Sequence, residues 1–266
     1  MFELTADNYY SQESNREFMS VSQFKDFYGS PGRAGCEFRA LSVLEGNWTE
    51  EPTTAMKVGS YVDAYFEGTL EEYKTNNPDM FKRDGELKAD FVKAEQCIAR
   101  VERDEYFMKF LSGEKQVIFT GIICNVPWKI KIDSYIPDKA IVDLKVMASI
   151  KKLEWSETAG VRLDFIRNMG YDIQGAVYQE IVRQNTGKQL PFYIAAVSKE
   201  KEPDIEIIQV EQDLLSDALR LVEENVSRIS DIKAFNIEPD RCGLCDCCRA
   251  TKRLVKPIGV YDLMMM

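Results

Sequence analysis

Between residues 116 and 147 apolar side chains recur at every second position, whereas earlier segments repeat every third or fourth. A period of two belongs to strands and a period near 3.6 to helices. Residues 116–124 and 128–147 therefore read as three consecutive strands. Asn125-Val126-Pro127 makes the first turn and Ile136-Pro137-Asp138-Lys139 the second, since both are built from residues that suit turns. A chain with such a meander in its middle and helical periods on both sides is neither all-helical nor all-β.

Alternation also assigns faces. Ile130 and Ile132 share one face of their strand, and Lys129, Lys131 and Asp133 the other. On the return strand Val142, Leu144 and Val146 oppose Ile141, Asp143 and Lys145. Folding the hairpin about Asp138 sets residue 132 against 144 and 130 against 146, apolar on apolar. A slip of one residue would break that match. In this register Asp133 lies opposite Asp143, with Lys145 beside them. Two facing carboxylates repel each other, so the pattern calls for a cation between them. Mg²⁺ or Mn²⁺ suits, as a hard ion that takes a few carboxylates and keeps several waters. The Leu144 carbonyl is a further candidate ligand. A lysine beside such an ion can place or activate water for phosphodiester hydrolysis. Lys129 and Lys131 share the acidic face and are expected to form a local basic cleft.

The remaining pattern supplies the flanks. Ser20 begins a short capped helix, and a second runs through Cys36 to Leu44. Thr53 or Thr54 caps a helix reaching about Phe66, with Ala55, Val58, Val62 and Phe66 as its apolar stripe. Gly59, Asp63 and Glu67 form the adjoining stripe; Gly59 would allow close approach of another element, and Glu67 reads as solvated. Leu87, Phe91, Ala94, Ile98 and Val101 mark a longer amphipathic helix. A helix follows near 163–185, with Ile173, Val177 and Ile181 inward, then strands at 190–198 and 204–210 and a helix at about 211–230. The expected architecture is α/β: a central mixed sheet flanked by helices. It forms a single domain over 1–266, with a core of about 53–230 and with helices 18–45 packed against a cysteine-rich tail, 236–255.

Composition narrows the chemistry. The chain has no histidine, which excludes Ser–His and Cys–His nucleophiles and every histidine metal site. A net charge of −10 argues against a broadly basic nucleic-acid surface, but lysines gathered in a cleft still attract phosphate. The opening MFELTADNYY is polar and acidic, not a secretory signal. With no membrane-length apolar run, a cytoplasmic location is expected, so the seven cysteines should be thiols or metal ligands and not disulfides.

Asp133 followed by Asp143-Leu-Lys145 resembles the acid and (D/E)-x-K elements of the PD-(D/E)XK nuclease superfamily; Pro137-Asp138, at the hairpin tip, is a decoy. Gln174-Gly-Ala-Val-Tyr178 is similar to the Q-x-x-x-Y helix motif of RecE- and AddB-type nucleases. Gly59-Ser-Tyr-Val-Asp63 resembles the G-x-x-x-H element of RecE-like exonucleases (exonuclease VIII), with Asp63 replacing His as a potential metal ligand. The resemblance covers about residues 18–255 and is closest to phage and prophage proteins. It implies a restriction-endonuclease-like core and a Mg²⁺-dependent exonuclease acting on linear double-stranded DNA in recombination. It further implies a bacterial host cytoplasm, a single-strand annealing protein as partner, and a homo-oligomeric ring. Gln174 and Tyr178 would contact a DNA phosphate or the attacking water. The competing reading is a non-catalytic DNA-binding recombination scaffold on the same fold, favoured by Asp63; a metal-stabilised interaction protein is a third.

Cys242-x-x-Cys245-x-x-Cys248 has compact metal-ligand spacing, and Cys36 precedes the core. The layout is similar to that of AddB-type nucleases, in which one cysteine before the core and three after it bind a [4Fe–4S] cluster, although the C-terminal spacing here is tighter. Four thiolates also suit Zn²⁺. Cys247 could substitute for Cys245 or Cys248, while Cys97 and Cys124 read as core residues.

Overall fold

In a computed structural model of the chain, which describes residues 3–156 and 158–261, the meander has four strands. They are β1 (Val117–Ile123), β2 (Val126–Ile132), β3 (Ser134–Ile136) and β4 (Ala140–Met147). The expected span of 1–266 extends beyond the described residues at both termini and at residue 157. β1 and β2 pair from Ile123↔Val126 outward, so only Cys124 and Asn125 turn the chain, with φ of 50° and 61°. Two positive φ values match the twist of a tight hairpin. Val126 and Pro127 thus belong to a strand and not to the turn, and Cys124 is an exposed turn residue, not a core one.

The second hairpin keeps the expected register. Ser134↔Val142, Tyr135↔Ile141 and Ile136↔Ala140 pair antiparallel. Asp138, at φ 63° in the tip, pairs with Lys188 at 2.8 Å, away from Asp143. The ladder does not run on to join 132 with 144 or 130 with 146. β2 instead pairs with β1 on one edge, Ile130 meeting Phe119, and with the isolated bridge at Met19 on the other. The strands part at Asp133, whose Oδ2 accepts the Leu144 amide at 3.0 Å. The carboxylate thereby supplies an acceptor where the ladder stops, and that amide stays satisfied.

β4 is central to a mixed four-stranded sheet. With β5 (Phe192–Ser198) and β6 (Ile205–Gln209), the order is β6-β5-β4-β3. β4 and β5 run parallel, and the other pairs antiparallel. The helices used below are α1 (Gln12–Glu17), α2 (Val21–Tyr28), α3 (Glu37–Leu44), α4 (Thr54–Glu67), α5 (Ala89–Glu102), α6 (Tyr171–Thr186), α7 (Gln212–Lys233) and α8 (Asp246–Ala250). Ile141, Ile194 and Ala196 pack into a core shared with α2, α3, α6 and α7. Ala140, Val142, Leu144, Ala195 and Val197 pack into a second core with α4 and α5. The sheet is therefore covered on both faces, as its nearly continuous apolar strands require.

Two helices depart from their sequence outlines. The segment expected as one helix at 163–185 breaks at Gly170, φ 65°, a left-handed conformation that glycine adopts cheaply. The break makes Tyr171 the first residue of α6. On α4, Thr53 is the cap and accepts the Met56 amide. Ala55 is exposed; Val58, Tyr61 and Val62 carry the packing. A β-carbon at Gly59 would meet nothing within 4 Å, so this glycine does not mark a close approach.

Candidate active site

On the α6-side face of β4 the apolar pattern stops after Ile141, and Asp143 and Lys145 take the next two positions. Asp143 is only 2 % exposed, in a place where a carboxylate needs partners. Gln174 of α6 donates to its Oδ1 at 2.6 Å. Its Oδ2 is paired with the Lys145 ammonium. Gly175 explains how α6 comes so near. A β-carbon there would stand 2.5 Å from the Phe192 ring and 2.8 Å from Leu215, so any larger residue would push the helix off β5.

Asp63 and Glu67 of α4, Asp133, Asp143, Lys145, Gln174 and Tyr178 all line one cleft of about 610 Å³. The fold thus gathers every acid that the sequence pattern picked out. Burial, then Asp143, raises the Asp133 carboxyl to about 7. Burial, then Asp133, raises Asp63 well above the ordinary carboxylate range. Burial opposes the charge on Lys145, but Asp143 and Asp133 outweigh it and hold the ammonium more firmly protonated than usual. Glu67 is half-buried rather than solvated and accepts from Gln116; burial raises its carboxyl too.

This donor set fits a hard divalent ion. Three carboxylates converge on a cleft beside one ammonium. Burial is the main cause of each raised pKa, and repulsion among the acids adds to it at Asp133 and Asp63; a dication would offset both.

Gln174 and Tyr178 both line the cleft, and each is hydrogen-bonded within the protein. The Gln174 amide nitrogen serves Asp143. The Tyr178 hydroxyl donates to the Lys131 carbonyl at 3.0 Å, fixing β2 just before Asp133. Both are positioning residues in this geometry. Lys129 is the larger correction. It lines the cleft but is 1 % exposed, and its ammonium is taken up by acceptors within the protein. Its Nζ donates to the Tyr9 carbonyl, to Ser14 Oγ at 2.8 Å and to Asn15 Oδ1 at 2.7 Å. With no carboxylate partner among the described residues, burial lowers it to about 8. Lys131 does reach the cleft, its Nζ 4.6 Å from the Tyr10 ring centroid.

Lys25 and Tyr171 escaped the sequence reading. Lys25 lines the cleft from α2 and donates to the Met169 carbonyl at 3.1 Å. Burial, then Lys145, lowers it to about 8. The Tyr171 ring lies 5.3 Å from the Lys25 Nζ and 5.0 Å from that of Lys145. No local motif marks either residue; only the tertiary fold brings α2 to β4.

Away from the cleft, Cys36, Cys242, Cys245 and Cys248 gather with all four sulfurs within 4.8 Å of one another, a group able to bind a metal ion. Cys247 is buried and outside this group, so it substitutes for none of them. Cys97 is buried, with its thiol on the Ser198 carbonyl, as a core residue should be. Among the described residues no helix is long and apolar enough to cross a membrane.

Comparison with known proteins gives a family and a fold. The crystal structure of a protein described as a "putative exonuclease" from Eubacterium rectale has a TM-score of 0.95 to this chain. It is 58 % identical, and the match covers 99 % of this chain and 98 % of that one. The structure of SSO0001 matches at a TM-score of 0.30 and 12 % identity, over 71 % of this chain and 81 % of that one, and carries no argument. No curated protein sequence matches. Residues 20–251 match a family model, and the chain belongs to that family, described as a PDDEXK-like domain of unknown function (DUF3799).

Proposed function

We propose that the chain is a divalent-metal-dependent exodeoxyribonuclease acting on linear double-stranded DNA. The observation that carries this reading is the convergence of Asp63, Asp133, Asp143 and Lys145 on one cleft. The PDDEXK-like family and the description of the Eubacterium rectale protein support a nuclease.

Asp63, Asp133 and Asp143, with the Leu144 carbonyl, would hold Mg²⁺ or Mn²⁺. Such an ion supplies Lewis-acid polarisation of a phosphodiester and a more acidic water. The protein's own groups do the rest. Gln174 fixes the Asp143 carboxylate through Oδ1, and Lys145 pairs with Oδ2. Tyr178 anchors β2 so that Asp133 keeps its place opposite β4. Lys145, held protonated by the acids, serves as a donor and a fixed positive charge rather than as a base. It orients water and offsets the charge that grows on the phosphoryl oxygens. Lys25 and Lys131 add positive charge along the cleft wall, so DNA affinity should fall steeply with salt despite the acidic surface.

Digestion of linear and covalently closed duplex DNA, each with Mg²⁺ or with EDTA, tests the reading. It expects nucleotide release from the linear form alone, and only with Mg²⁺. Cut circles would indicate an endonuclease. Binding without cleavage of either form would favour the recombination scaffold. The handing of single strands to an annealing protein, and a ring of subunits around DNA, belong to the same proposal and rest on the family resemblance alone; light scattering of the chain with and without DNA checks the ring.

A further inference from the structure

The cysteine cluster joins the two ends of the described chain. Cys36 caps α3, and Cys245 caps the short α8. Cys36 and Cys248 stand 212 positions apart in sequence with their sulfurs 3.6 Å from each other. Cys36 and Cys245 are 3.8 Å apart, and Cys242 and Cys248 3.9 Å. No sulfur pair in the group exceeds 4.8 Å.

These separations discriminate between the two candidate occupants. In a [4Fe–4S] cluster each thiolate binds a different iron and points away from the cube, which sets the four sulfurs on the order of 6 Å apart. Four thiolates on a single ion stand at the corners of a tetrahedron instead. Three of the six edges are 3.6–3.9 Å and none exceeds 4.8 Å, which sets the centre of a tetrahedron about 2.2–2.9 Å from its corners, a range that includes the Zn–S bond of about 2.3 Å. The cluster that the family resemblance implies does not fit between these sulfurs.

The surrounding backbone is arranged for thiolates. Gly243 turns at φ 73°, which lets the Leu244 and Cys245 amides point back at Cys242 Sγ, 3.4 and 3.3 Å away. The Cys248 amide points likewise at Cys245 Sγ, 3.4 Å away. Such N–H groups favour the charged form of sulfur. The Arg241 guanidinium lies beside the group, stacked 3.6 Å over Phe38, with Nη2 on the Cys248 carbonyl. Four thiolates around Zn²⁺ carry a net charge of about −2, which these donors and this cation stabilise.

We propose that Cys36, Cys242, Cys245 and Cys248 form a closed, mononuclear, tetrahedral zinc site, and that the chain carries no iron–sulfur cluster. Each thiol that binds releases its proton to solvent, and no oxidant or reductant is involved. With all four positions taken by protein, the site has no open coordination position for catalysis. Its role is to hold the residues before α4 against those after α7.

The test is metal and acid-labile sulfide analysis of the full chain, expressed with both iron and zinc available and purified without oxygen. The proposal expects about one zinc per chain and no sulfide. Exchange with Co²⁺ should give the intense visible bands of tetrahedral thiolate cobalt. Cys247→Ser should retain the zinc, and Cys245→Ser should lose most of it. If Cys245→Ser does not fold, the cobalt spectrum of the wild type still decides. About four irons with matching sulfide would overturn the proposal. So would a folded sample that holds neither metal and gives no cobalt spectrum after reconstitution.

Discussion

At the cleft, Asp63, Asp133 and Asp143 crowd around one ammonium and stay open to about 610 Å³ of space. At the cysteine group, four sulfurs close on one another with room for a single ion. Both regions collect anionic donors from distant parts of the chain. Their surroundings differ in what they leave unsatisfied. Main-chain amides already serve Cys242 and Cys245, whereas burial and mutual repulsion raise the Asp133 and Asp63 carboxyls. A closed donor set holds a structure together, and an open one keeps affinity available for a substrate.

That contrast is sharpest under metal removal. Stripping the cysteine site with a thiol-compatible chelator should lower the unfolding midpoint by about 5–10 °C, because the bound ion contributes folding energy directly. It should also expose the segment around Cys242–Cys248 to protease. Withholding Mg²⁺ without adding a chelator should abolish cleavage and leave the midpoint unchanged or lower by only a few degrees, since the cleft acids are held by the sheet and by α4. Equal thermal effects at both sites would erase the distinction.

Asp143→Asn should lower both activity and stability. Cleavage should fall by about 10³-fold or more, as a loss of several kcal/mol of charge stabilisation implies. The metal-free fold should also be less stable than the wild type, because the buried Lys145 ammonium loses its paired carboxylate. Kinetics paired with thermal unfolding check both halves, and an active variant would remove Asp143 from the site.

A smaller effect concerns pH. The Asp133 carboxyl, raised to about 7 in the metal-free fold, sits near 3.9 in an unfolded chain. The folded form therefore binds the extra proton between these values, and stability from this group is lost as pH rises from about 4 to 7. A cation must displace that proton. Mn²⁺ affinity, followed by calorimetry, should fall at least about tenfold for each pH unit below about 7, since Asp63 is also raised and must lose its proton. A flat profile from pH 5.5 to 8 would contradict Asp133 as a ligand.

Much of the cleft was legible because a hairpin register is a local property. Alternation about a tip at Asp138 was enough to bring Asp133 near Asp143 with Lys145 beside them, and Ser134↔Val142 pairs in that same register, although the apolar matches of 132 with 144 and 130 with 146 do not form. Alternation names a face but not what covers it. Lys129 shares a face with Lys131, yet the segment from Tyr9 to Asn15 lies over it and takes up its donors. Lys25 and Tyr171 join the cleft through contacts between α2, α6 and β4 that no single window of sequence contains. Two outlines failed through backbone conformation. Cys124 and Asn125 take positive φ without a glycine, and Gly170 breaks what looked like a continuous helix. The cysteine group was marked by its spacing, but the choice of ion depends on sulfur separations that only the fold provides.

The central claim is that the acid cleft is a hydrolytic site in which Lys145 acts on the reacting phosphate. Single-turnover digestion of end-labelled linear duplex, by wild type and by Lys145→Ala at saturating Mg²⁺, tests it most directly. Loss of an ammonium that stabilises transition-state charge is worth ~3–4 kcal/mol, or roughly 10²–10³-fold in rate. The account predicts that loss with DNA binding largely retained. If Lys145 only pairs with Asp143 as part of the fold, the rates should agree within about threefold, less than ~0.7 kcal/mol, and that result would contradict the assignment.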